Sequence, residues 1–203
     1  MTKENTRAIV IATDIMAKHG GVITTSETVD AGIHPRTLYQ MRDAGIITQL
    51  ARGLYCLNNE HSISSDIAIV AAKYPKAVVC LISALSFHEL TTQIPHSVHI
   101  AMPRGTTTPR LKYPQITIYR FSDDTYSKGI EAHTIDNVSV NIYCIEKTIA
   151  DCFKFRNKLG MDIVLEALKL YKARKDFSVT KLMKYAKICR VEKIMRPYLE
   201  MAV

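Results

Sequence analysis

Glycines at positions 20, 21, 32, 45 and 53 cut the stretch from 20 to 57 into pieces too short for a long helix or a large sheet. The hydrophobic pattern changes at each of them. Upstream, residues 6–18 (TRAIVIATDIMAK) place Ile9, Ala12, Ile15 and Met16 at helical spacing, with Ala8 and Ile11 widening the stripe. Gly20-Gly21 ends that helix, because glycine adopts the left-handed cap conformation at little cost. TSETVDA predicts a second short helix, capped by Thr25 or Ser26, with Glu27 favourably placed in its first turn. Gly32 closes it and Ile33-His34 forms a turn. PRTLYQMRDAG then predicts a third helix from Pro35 to Ala44, since proline suits the first helical position, where its missing N–H has no partner anyway. Next the period switches: IITQL and GLYCL read as two strands of a hairpin turning at Ala51-Arg52. Helix, helix, turn, helix and hairpin together make a winged helix-turn-helix over residues 1–60.

A helix that reads DNA buries one side in its own domain and offers polar or planar side chains on the other. With Leu38 and Met41 inward, the third helix turns Arg36, Thr37 and Gln40 outward, with Asp43 trailing and Tyr39 and Arg42 at the flanks. Arginine can meet guanine and glutamine adenine through paired hydrogen bonds, and threonine suits a base edge or a methyl group. Thr37, Tyr39, Arg52 at the hairpin tip and His34 in the turn are candidates for phosphate contacts, which fix register without reading sequence. Each also has a plain alternative as an exposed or packing residue of a small helix.

From residue 61 the chain predicts a mixed α/β domain, so the fold class is α+β. The polar run from Asn58 to Ser64 reads as a linker, followed by a helix at 65–73 and a strand-like AVVCLI at 77–82. SALSFHEL reads as a short helix capped by Ser83, and HSVHIAM and QITIYRF as strands joined by a loop rich in Pro, Thr and basic residues. GIEAHTI and VSVNIYC form a hairpin about Asp136-Asn137, and everything from Ile145 onward has a helical period.

Composition narrows the function classes. A hydrophobic share of 47% with 23% charged residues fits a folded globular protein and excludes wholesale disorder. No apolar run approaches the roughly 18–20 residues that cross a bilayer. The amino-terminal segment reads as an amphipathic helix and not a signal peptide, so a cytoplasmic protein without membrane partners is expected. Five scattered cysteines, never in a C-x-x-C pair, predict small core side chains, with no disulfide framework and no metal site. The net charge of +8 is unevenly spread: residues 1–60 hold six Lys/Arg and six Asp/Glu, whereas residues 145–203 hold fourteen against seven. Lys154, Arg156 and Lys158, and Lys181, Lys184 and Lys187, fall at spacings that put them on shared helix faces. That basic surface fits a polyanion as well as it fits a solvated helix face.

The segment GGVITTSETVDAGIHPRTLYQMRDAGIITQLARGLYCL also resembles the amino-terminal domain of the AbiEi family, antitoxins of AbiE-type (type IV) toxin–antitoxin systems. The double glycine, the Gly-Ile turn, the leucine of the third helix and the Arg-Gly-x-Tyr closing the wing carry the likeness. It continues through SALSFHEL, HSVHIAMPRG and IEKTIADCFKFRNKLGMDIVLEALKLY. The resemblance implies an antitoxin domain at 61–203 behind the winged domain. It also implies an autorepressor that binds inverted repeats in double-stranded promoter DNA, in a setting of abortive infection and phage defence. Its functional partner would be a nucleotidyltransferase toxin, counteracted without a required stable complex. The alternative is a plain regulator whose second domain senses a ligand or dimerises.

No enzyme and no cofactor are expected. Glu146, Lys147 and Asp151 have the residue types of a metal-dependent nuclease, with Asp123-Asp124 nearby in sequence. A helix start explains them more simply: Glu146 suits the positive end of the helix dipole, and Asp151 can pair with Lys147 one turn away. His88-Glu89 lacks the second histidine of a zinc-protease helix, and Ser83 and Ser86 lack a base.

Overall fold

The computed structural model describes residues 3–58 and 65–200, an α+β fold with two sheets that divides into two compact units. The run expected to be a linker lies, from residue 59 to 64, outside the described residues.

The first unit comprises residues 1–75 together with 110–114 and 133–140. Its elements are α1 (Lys3–Lys18), β1 (Val22–Thr24), α2 (Thr25–Asp30), α3 (Pro35–Asp43), β2 (Ile47–Ala51), β3 (Leu54–Leu57) and α4 (Asp66–Lys73). Strand β1, unforeseen between the first two helices, joins the hairpin in an antiparallel sheet of order β1-β3-β2. One core cluster packs Ile9, Ala12 and Met16 of α1 on Leu38 and Met41 of α3 and on Ile47 and Tyr55. Ile11, expected to widen the buried stripe, is instead 51% exposed beside Val10 at 55%. Three inward residues at helical spacing already fill the space above α3, so the stripe stays narrow. A second cluster sets Val22, Leu54 and Cys56 against Ala68 and Ile69 of α4 and Ile135 and Val138.

The second unit holds β4 (Val78–Val79), α5 (Leu81–Phe87), β5 (Val98–Pro103), β6 (Ile116–Phe121) and α6 (Asp123–Tyr126). The hairpin β7 (Ile130–Ile135) and β8 (Val138–Tyr143), of which residues 133–140 count with the first unit, follows, then α7 (Ile145–Lys154), α8 (Arg156–Leu159), α9 (Met161–Lys172), α10 (Val179–Ile188) and α11 (Glu192–Glu200). The sheet has the order β6-β5-β4-β8-β7 and is mixed: β4 runs antiparallel to β5 and parallel to β8, and β5 runs parallel to β6. The β7–β8 turn falls at Asp136 and Asn137, both with positive φ, as a two-residue turn of the primed kind requires.

Two expectations need correction here. The apolar run at 77–82 yields only a two-residue strand, because Leu81 takes a φ of 48° and opens α5. Ser83 is no cap: it lies inside α5, buried, with its Oγ accepting from the backbone N–H of His99 at 2.9 Å. All five cysteines are buried, the small core side chains expected of them.

Candidate nucleic-acid interface

The connection from β1 to α3 is held by local hydrogen bonds that the sequence encodes. Thr24, and not Thr25 or Ser26, caps α2: its Oγ1 accepts from Glu27 N–H at 3.2 Å while the Glu27 carboxylate accepts from Thr24 N–H at 2.7 Å. This reciprocal box satisfies two backbone donors that a helix start would otherwise leave without partners. The expectation failed by one position because β1 runs right up to the helix, leaving Thr24 in the extended conformation that an N-cap needs.

Helix α3 spans Pro35–Asp43, one residue shorter than its expected extent, with Ala44 as its C-cap. His34 is its N-cap, Nδ1 accepting from Arg36 N–H at 3.1 Å. In the neutral ring that acceptor role places the proton on Nε2, so the exposed edge of the imidazole is a donor. Leu38 and Met41 are buried as expected. The outward line is Arg36, Tyr39, Arg42 and Asp43, all exposed, while Thr37 and Gln40 are half-buried at its edges. Thr37 precedes Leu38 by one residue and Met41 by about one turn, which turns it toward the flank. Tyr39 is 50% exposed with the Arg42 guanidinium 5.4 Å from its ring centre. Arg42 also donates to Asp43 at 2.8 and 3.1 Å, and this contact raises its pKa. Two of the five guanidinium donors of Arg42 are thus engaged with a carboxylate that competes with any other anion.

The hairpin tip is pinned. The Gly53 carbonyl accepts from Thr25 N–H at 3.0 Å, and the Arg52 carbonyl accepts from Lys73 Nζ at 2.6 Å. Gly53 has a φ of +71°, and a Cβ there would meet Thr25 Oγ1 at 3.0 Å, so glycine alone fits the approach. The Arg52 side chain stays exposed on this fixed tip.

The basic candidates of the second unit sort by element. Lys154 ends α7 and Lys158 lies in α8, both exposed; Arg156 is half-buried and donates to the Phe153 carbonyl at 3.0 Å. Lys181, Lys184 and Lys187 are exposed along α10, whose Leu182 and Ala186 face the core.

Sequence reasoning paired Lys147 with Asp151 but missed their depth: both are fully buried, in direct contact. The Lys147 ammonium lies 4.2 Å from the ring centre of Tyr143 and 4.9 Å from that of Phe121. Cys189 Sγ donates to Asp151 Oδ1 at 3.2 Å. Burial pushes the Asp151 carboxyl up, with Lys147 and the thiol opposing. Glu146 accepts from the Tyr171 hydroxyl at 2.7 Å. Glu146 and Asp151, two acids of the set that resembles a nuclease, are thus each committed to a partner in the packing. The one local signal was an alternation of apolar and charged residues in IEKTIADCF, which predicts an amphipathic helix and not a buried pair.

Residues 12–58, running from α1 through β3, match the profile of a family described as transcriptional regulator, AbiEi antitoxin. This is the family that the sequence resembles, and its description is that of a transcriptional regulator and antitoxin. Among solved structures, the chain is similar in fold to the crystal structure of RV2827C protein from Mycobacterium tuberculosis. That likeness has a TM-score of 0.52 at 12% identity, over 91% of this chain and 78% of that one. No curated protein matches the chain. Among the described residues, no helix is long and apolar enough to cross a membrane.

Proposed function

We propose that this protein is a cytoplasmic antitoxin of an AbiE-type toxin–antitoxin system that also represses its own operon by binding inverted repeats in the promoter. Residues 1–60 act as the winged helix-turn-helix. Helix α3 enters the major groove, with Arg36, Gln40 and Thr37 meeting base edges near its amino-terminal end. Tyr39, Arg42, Arg52 and the Nε2–H of His34 hold phosphates around that contact. The region 61–203 counteracts a nucleotidyltransferase toxin, its face of Lys154, Arg156, Lys158, Lys181, Lys184 and Lys187 serving neutralisation or extending the DNA footprint.

One observation carries this reading. The stretch matching the regulator family is the stretch in which a short helix, seated by Leu38 and Met41, leaves Arg36, Tyr39 and Arg42 in water beside a pinned, arginine-tipped hairpin. Gel shift of promoter fragments tests it. Arg36→Ala should weaken the cognate complex by about 1–3 kcal/mol and relax base preference at one position. Lys181→Ala should at most lower affinity evenly over all sequences and flatten the salt dependence by about one unit. A purified protein that shifts no promoter fragment at low salt would sink the regulator role. Co-expression with the toxin gene separates the second activity: Arg36→Ala should still rescue growth.

A further inference from the structure

A cavity of ≈ 510 Å³ in the second unit collects basic side chains, two of which, Arg104 and Arg190, the DNA-binding reading does not use. Arg104, which follows β5, Lys154, Arg156 and Arg190 line it, against a single carboxylate, Asp124. Among the described residues, none of the four cations forms an ion pair. Like charges gathered in a concavity repel one another, so the arrangement is at its most stable with an anion between them.

Its place in the sheet favours a ligand as well. Strands β5 and β6 are parallel and in register, Pro103 opposite Phe121, and the cavity takes residues just beyond both carboxyl ends. That end of parallel strands is where ligands settle in open sheets with helices. Arg104 is fixed there by its N–H donating to the Phe121 carbonyl at 3.0 Å, beside Ser122.

Arg190 gives a second, independent sign. It stands one residue past the C-cap of α10, where its N–H donates to Lys187 and the N–H of Val191 donates to Ala186. This motif normally takes glycine, because its φ is positive, and here the φ is 61°. An arginine in this glycine position puts a guanidinium at the cavity despite the backbone preference.

We infer that the cavity binds a nucleoside polyphosphate. The phosphates would lie among Arg104, Lys154, Arg156 and Arg190, whose four positive charges against one negative match a di- or triphosphate better than a monoester. Ile188, Val191 and Ile194 supply an apolar wall for a base. Asp124 can accept hydrogen bonds from a ribose hydroxyl or an exocyclic amine. The volume falls in the range of about 300–1,000 Å³ usual for small-molecule sites, larger than inorganic phosphate would fill.

Calorimetric titration of the full chain with ATP, AMP, pyrophosphate and an unrelated short DNA duplex tests the inference, whether or not promoter binding holds. ATP should bind, and AMP and pyrophosphate should each bind about tenfold or more weakly. Arg104→Gln should weaken ATP by about tenfold or more, as expected for the loss of a charge-assisted hydrogen bond. Arg190→Gly should do the same without lowering Tm, since glycine suits that backbone; a purely structural arginine would leave ATP binding intact. No ATP binding at millimolar concentration would overturn the site, as would binding that both variants leave unchanged. Pyrophosphate binding as tight as ATP would remove the nucleoside. An unrelated duplex that displaces ATP would assign the cavity to nucleic-acid backbone.

Discussion

Two ion pairs, one on a helix of each unit, share their chemistry and differ in their access to water. Arg42 and Asp43 meet at the end of α3 with both side chains largely in solvent, whereas Lys147 and Asp151 meet on α7 with neither exposed. In water the separated charges hydrate nearly as well as the pair, so Arg42 can leave Asp43 for another anion at little loss. Away from water, neither partner of the second pair has another place to go, and the two charges become part of the packing. Signed charge counts therefore mislead. The neutral segment 1–60 holds the exchangeable arginines, while the strongly basic carboxyl-terminal third locks one lysine under two aromatic rings.

The sharpest way to break this contrast is to remove one buried partner. Asp151→Ala should destabilise the fold by about 3–5 kcal/mol in urea denaturation, because it strands a buried ammonium. Lys147→Met combined with Asp151→Leu should recover most of that loss; a double variant no better than the single would show that the charges are not coupled. Thr24→Ala, which opens the capping box of α2, should cost about 1 kcal/mol, again read from denaturant midpoints.

His99 adds a smaller effect with a definite sign. Burial lowers its pKa, and among the described residues its Nδ1 has no hydrogen-bond partner. The folded state therefore favours the neutral ring. Its contribution is complete above the unfolded value near 6.5 and is lost as pH falls through the lower folded value. Thermal unfolding should show Tm declining below about pH 6.5, with a shallower decline in His99→Gln. Smallest of all, Asp43→Ala should leave the unfolding midpoint where it was while tightening promoter binding, since Arg42 is released. A marked loss of stability would mean that the exposed pair is structural after all.

The amino-terminal module was legible because its punctuation is local. Glycines, a proline at a helix start and inward residues three apart are read within a few positions of one another, and α3 with its hairpin emerged close to its true limits. The second unit was less legible for the complementary reason. Whether Leu81 continues a strand or opens a helix, and whether Ser83 caps or packs, depends on His99 and its neighbours in β5, brought close only by the sheet. The depth of Lys147 had the same origin: its two aromatic neighbours come from β6 and β8. At the candidate interface, residue identities were visible in advance, but their commitments were not. That His34 caps α3 and that Arg42 is held by Asp43 both follow from side-chain geometry no spacing rule encodes.

The first unit draws residues from 110–114 and 133–140 as well as from 1–75, and its cluster around Val22 and Leu54 includes Ile135 and Val138. A ribosome delivers those last pieces only after the strands of the second sheet up to β7 have emerged. Helix α3 is thus made early while its unit is completed late, so a nascent chain carries an unfinished first unit until more than half of its codons have been read.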